Sequence, residues 1–304
     1  MEDHDNSGSS VSLERLTAVC KNEVSISDLI SSSQVETNRF SIVQSVEKAH
    51  VPASQLSNSD AQFVLVTRSN YDLIPLATYL SNDIPRHAFV VLLLTCTLHI
   101  LKSIALLEEA HILHGNLTAD TIGVTMRTKL PIIGDFSYAL STERPPSYLT
   151  IHSSIDSREK RFHWSPERHL LKIISLREGD LVKEEDISKA VDSFMDTASI
   201  LLLFSEEFRN HYRHSTETVL TTLLGRDVNT LQQELQKTIH TWDVFSVSVS
   251  MLSLVGYGFT QSQYCNRHMI RYAECLVSCI HPDPKKRLGP TEAVAQINAI
   301  LTGV

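Results

Sequence analysis

The residues with chemical reach are concentrated in one stretch, HGNLTADTIGVTMRTKLPIIGDFS, which spans residues 114–137. A His and a Leu stand ahead of a run of short polar residues. A β-branched segment follows and ends in Asp135-Phe136. That layout resembles a phosphoryl-transfer site. Such a site needs a carboxylate to accept or orient the proton of the attacking hydroxyl, and a second carboxylate with an amide oxygen to hold magnesium ions. Asp135 is a good hard-cation ligand, but two of the positions that would complete the chemistry hold the wrong residue types.

Positioning these groups falls to the elements around them. TIGVTMRTKLPIIGDFS reads as two short strands joined by a turn around Arg127 to Lys129. Ahead of it, AFVVLLLTCTLHILKSIALLEEA is a long apolar helix running from about Pro85 to Ala110. Its length raises a membrane span, but His99 and Lys102 interrupt it and no basic flank marks an orientation, so it is expected in a protein core. Earlier still, RLTAVC and RFSIVQSV read as strands, SISDLISSSQVE as a short helix with a Ser cap, and AQFVLVTR as a buried strand. From Pro166 onward the pattern is helical, with DVFSVSVSMLSLV apolar nearly all round and therefore central.

Composition narrows the classes. With 304 residues, 42% of them hydrophobic, the chain can bury one large core or two unequal ones. A net charge of −8 argues against nucleic-acid or anionic-membrane binding. Five cysteines without CxxC spacing signal neither a disulfide framework nor a zinc site and point to a reducing, intracellular setting, cytoplasmic or nuclear. Cys275 and Cys279, four apart, lack partners for a metal set, and His211 and His214 read as solvated residues. The polar start MEDHDNSGSS argues against an export signal.

Five dispersed motifs carry a resemblance to the eukaryotic-type protein kinases. HGNLTADTI stands where that family has its catalytic loop, GDFS where it has Asp-Phe-Gly and WSPE where it has Ala-Pro-Glu. DVFSVS is similar to the family's central helix, and HPDPKKRLGPTEAV to its closing segment. Asn116 and Asp135 are 19 positions apart, close to what the ribbon between the two loops requires. The resemblance covers about Gln62 to the carboxyl terminus, and there is a weaker one to divergent kinase-like proteins of large DNA viruses.

The resemblance implies an α+β, two-lobed fold. Residues 1–12 would be a disordered tail, 13–67 a shortened N-lobe of mixed strands and helix, and 68–304 a mostly helical C-lobe. Glu167 and Asp243 are 76 positions apart, more than the family needs, so a helical insertion is expected at about 172–238, a surface for a protein partner. ATP and magnesium would be the cofactors. Asn116 would occupy the catalytic carboxylate position, where a neutral amide cannot act as base. General-base assistance contributes ~10²–10⁴ in rate, so this change alone implies a crippled enzyme. Thr118 replaces a basic residue, Thr121 replaces a metal-binding amide, and Asp135 remains. Gly123 would leave the nucleotide pocket with a thin floor. Lys21, in an expected strand, and Glu36 would form the phosphate clamp. His114, Phe136, Asp243, Glu167 and Arg287 match packing positions. Gly115 replaces the Arg that would receive an activation-loop phosphate. The expectation is a pseudokinase serving as a binding, scaffolding or regulatory module. The alternative is a divergent, weakly active serine/threonine kinase with Asp120 as substitute base.

Overall fold

The computed structural model describes residues 13–51, 61–69, 72–80, 86–143, 163–175, 181–260 and 266–303. The expected tail at 1–12 lies outside them. The fold is α+β, with small antiparallel sheets in a mostly helical chain.

Helix α1 (Leu13–Ser32) opens the described chain. It replaces both the RLTAVC strand and the separate Ser-capped helix expected there. Residues 23, 26, 27 and 30 are buried, a 3–4 spacing that places them on one helical face. RLTAVC suggested a strand locally, but this longer period decides the element. A 3-10 turn at Thr37–Arg39 follows. Strands β1 (Val43–Val51) and β2 (Ala61–Arg68) then form an antiparallel hairpin against α1. Phe40, expected inside a strand, makes only an isolated parallel bridge to Ile133.

Strand β3 (Leu73–Pro75) and short helix α2 (Leu76–Leu80) lead to α3 (Arg86–Glu109). α3 is long and apolar enough to cross a membrane, yet most of that window is buried inside the protein. Leu93, Leu94, Ile100, Leu101, Ile104 and Leu107 are all 2% exposed or less, so their burial in the core accounts for the helix's apolarity. After it come β4 (Ile112–Leu113), β5 (Ile122–Thr125), β6 (Pro131–Ile133) and β7 (Leu140–Ser141). β3, β5 and β6 form one three-stranded sheet, and β4 pairs with β7. The β5–β6 turn closes through Lys129, whose φ is 59°.

Seven helices complete the described chain: α4 (Pro166–Ser175), α5 (Glu184–Thr197), α6 (Glu206–Thr221), α7 (Val228–Gln236), α8 (His240–Thr260), α9 (Arg267–Cys279) and α10 (Pro290–Leu301). α8 is buried on every side from Thr241 to Leu252. It joins α3, α9 and α10 in the main core. Helices α4 to α7 close a second apolar cluster around Leu170, Val191, Leu231 and Trp242. Between residues 181 and 238 the described chain is mostly helical. Ser205 and Asp227 cap α6 and α7, their side-chain oxygens accepting from the backbone N–H of Phe208 and Thr230. On α9, Cys275 and Cys279 are buried beside each other. The described residues contain no group of three or more metal-ligating side chains. His211 and His214 are exposed on α6.

Candidate functional site

The polar loop of residues 114–121 is held from below by α8. Asp243, only 2% exposed, accepts the backbone N–H groups of His114 at 2.7 Å and Gly115 at 2.9 Å through its two carboxylate oxygens. Such charge-assisted bonds are among the stronger ones a fold has. His114 is fully buried, donates from Nε2 to the Gly134 carbonyl at 2.8 Å and packs on Phe136 with ring centres 5.0 Å apart. Nδ1 of the same ring faces the Asn116 N–H at 3.4 Å, so it accepts there while Nε2 carries the donated proton.

Gly115 sits at φ 74°, and a Cβ there would lie 2.9 Å from the Tyr138 carbonyl oxygen. Its own carbonyl accepts from Arg168 at 2.6 Å. The Arg168 guanidinium lies between Trp164 and Trp242, 4.6 and 5.3 Å from their ring centres. Glu167, next to it, forms two hydrogen bonds with Arg287 at 2.5 and 2.9 Å, both side chains being almost fully enclosed.

Above the loop lies a cleft of about 480 Å³, lined by Asp120, Thr121, Gly123 and Asp135 on one side and by Ser41, Arg68 and Leu73 on the other. Asp135 is in the left-handed region at φ 60°, and one carboxylate oxygen accepts the Ser137 hydroxyl. Thr121 turns inward. Its hydroxyl accepts the Thr118 N–H at 2.9 Å and faces the carbonyls of Thr118 and Asn116 at 3.0 and 3.3 Å, so it closes the loop. Thr118 accepts the Asp120 N–H through its own hydroxyl at 3.3 Å. Asn116 is 5% exposed.

The Gly123 position is not open, as the expectation of a thin floor had it. Strand β3 runs beside it, and a Cβ on Gly123 would stand 2.8 Å from the Leu73 Cβ. The neighbouring strand's leucine fills the space that glycine leaves.

The Lys21–Glu36 clamp is not formed. Lys21 is exposed on α1 rather than in a strand, and Glu36 binds Arg39 at 2.6 Å. A different pair takes the inner position. Glu23 on α1, buried, binds Arg68 at the end of β2, with contacts of 2.9 to 3.2 Å. Asn22 beside it donates to the carbonyls of Ser137 and Ala139, both at 3.0 Å, tying α1 to the segment after Asp135. Reading α1 as a strand followed by a separate short helix hid both residues. The signal available was Glu23 standing in helical register with Ile26 and Ile30.

Near the loop, burial pushes His163 down to about 4, against the opposing pull of Asp120. This imidazole is neutral at physiological pH and adds no positive charge to the cleft.

No protein-family model matches this chain, and no curated protein sequence matches it either.

Proposed function

We propose that this chain is a kinase-like protein kept as an intracellular binding, scaffolding or regulatory module, with little or no phosphotransfer. One observation carries the reading: the groups that hold the 114–121 loop are intact, while the groups that would do chemistry on it are absent or already engaged. Asp243 pins the loop through two backbone N–H groups, and Glu167–Arg287 braces the segment behind it. On the cleft side, Asn116 has no basic oxygen, and the Thr121 hydroxyl is consumed within its own loop.

The donor set does not fit a magnesium–triphosphate group. Two hard cations need several oxygens at octahedral positions. From the loop and the segment after β6 the cleft gains Asp135, one oxygen of which already accepts from Ser137, and the exposed Asp120. On the opposite wall Leu73 packs onto Gly123, and Arg68 is tied to Glu23, not left as a free phosphate clamp. The surface for a protein partner is proposed on helices α5 to α7, which build their own apolar cluster beside the loop.

A divergent serine/threonine kinase is the second reading, favoured by Asp120 and Asp135 lining the same cleft. Thermal unfolding against rising ATP, with magnesium and with chelator, separates the two. A ligand at about a hundred times its Kd adds ~2.7 kcal/mol. The module reading expects no magnesium-dependent rise at millimolar ATP. A rise abolished by Asp135→Ala, together with label transfer to a serine or threonine substrate, would overturn it.

A further inference from the structure

Glu36 belongs to a second concavity, away from the cleft, with a volume of about 580 Å³. Its walls come from the turn before β1, the ends of the β2–β3 connection, the middle of α3 and the β5–β6 turn. At its inner side stands Arg39, whose side chain is 17% exposed. Two neighbours hold it. Nε donates to Glu36 at 2.6 Å, and Nη1 lies 3.2 and 3.3 Å from the two ring nitrogens of His99. Nη2 has no partner among the described residues, so two N–H donors of a fixed guanidinium remain available to the cavity. Arg127, on the exposed β5–β6 turn, supplies a second guanidinium at the mouth.

The carboxylates that line the cavity offset this pair only in part. Glu36 is engaged by the Arg39 Nε at 2.6 Å and leaves Nη2 free, and Asp72 is exposed, so water and salt screen it beyond contact range. Arg39 lies deeper and is screened less. Lys102 adds positive potential close enough to act on both Glu36 and His99. A guanidinium matches the geometry of a phosphate with paired N–H donors, and one already held by neighbours loses little freedom on binding. Asn38 and the outer carboxylates are suited instead to sugar-type hydroxyls, which donate to charged acceptors.

We propose that this cavity is a binding site for a small phosphorylated polyol, its phosphate on Arg39 and Arg127 and its hydroxyls on Asn38 and Asp72. The site is independent of the cleft at Asp135 and of whether that cleft transfers phosphate.

The test is a two-dimensional amide NMR titration of the full chain with inorganic phosphate, glucose 6-phosphate and glucose. Glucose 6-phosphate is expected to perturb the amides of residues 38–39 and 125–130, to bind about tenfold more tightly than inorganic phosphate, and to outcompete glucose entirely. Arg39→Gln and Arg127→Ala are each expected to weaken it by about tenfold. Arg127 is exposed on a turn, so its variant keeps the fold and the test stands even if Arg39→Gln does not fold. The proposal is overturned by no perturbation at about 10 mM glucose 6-phosphate. Unchanged affinity in the Arg127 variant, or perturbation at Gly123 and Gly134 in place of this cavity, would overturn it as well.

Discussion

Replacing Asp243 by Ala removes the acceptor of two buried backbone N–H groups at once. In the native chain those groups reach its carboxylate at 2.7 and 2.9 Å from a side chain that water scarcely touches. A buried donor left without a partner costs ~1–3 kcal/mol. Two such donors lose about 2–6 kcal/mol, and relief from burying a carboxylate returns part of it, leaving ~3 kcal/mol net. For a chain of this size each kcal/mol moves the unfolding midpoint by about 2 °C, so a fall of roughly 6 °C is expected. Asp243→Asn should fall between, since its amide oxygen still accepts one N–H while its NH₂ opposes the other. Two measurements decide the matter: thermal unfolding, and hydrogen exchange at the His114 and Gly115 amides, which should lose protection in the Ala variant before the core does. An Ala variant within ~0.5 kcal/mol of the native protein, with both amides still protected, would refute the claim that α8 holds the loop.

Gly115→Ala forces a Cβ into the left-handed region and against the Tyr138 carbonyl. The backbone alone costs ~1–2 kcal/mol, so chemical denaturation should show at least that loss. Arg287→Met leaves Glu167 buried and unpaired and should cost ~3–5 kcal/mol. Adding Glu167→Leu should recover most of it, a result that urea unfolding of the single and double variants would establish. The imidazole of His163 is held at about 4 against an ordinary 6.5, and its main cause is burial. A depressed histidine means that the unfolded chain binds the proton first. Stability is therefore full above about pH 6.5 and falls by ~3 kcal/mol as pH drops from there to about 4. His163→Phe should flatten that part of the stability–pH curve, read by urea midpoints across the range. His99, also near 4 through burial and then Arg39 and Lys102, is more open and should add a smaller fall in the same window.

What was legible in the sequence follows from how local each signal is. The β5–β6 ribbon could be read because alternation and turn residues lie within a dozen positions, and α8 because its apolar character does not lapse over three turns. Asp243 and Arg287 could be singled out because the motifs around them resemble those of the kinases, and the structure gives each a buried partner. The amino-terminal part misled for the opposite reason. RLTAVC has strand-like composition over six residues, but the 20-residue helix is decided by the 3–4 residue period that carries Glu23, Ile26 and Ile30 inward. From that one error the clamp followed: once α1 is a helix, Lys21 faces water and Glu23 faces the interior. Leu73 beside Gly123 could not be read at all, since the pairing of β3 with β5 joins residues 50 positions apart.

If the chain is kinase-like, as proposed, the contrast between its kept and its changed positions has a physical basis. Asp243, Glu167 and Arg287 each leave a buried charge or orphaned donor when changed, so each change is charged to the stability of the whole chain. Thr118 and Thr121 are neutral side chains satisfied within the loop itself: the Thr121 hydroxyl accepts the Thr118 N–H, and the Thr118 hydroxyl that of Asp120. Catalytic groups of this kind are retained only by selection for chemistry, whereas the packing groups are retained by the requirement to fold. On the reading proposed above, a chain with these packing groups intact and neutral residues at 116, 118 and 121 is held to its shape and not to a reaction. The surfaces that shape presents, helices α5 to α7 and the Arg39 cavity, are where its work is to be sought.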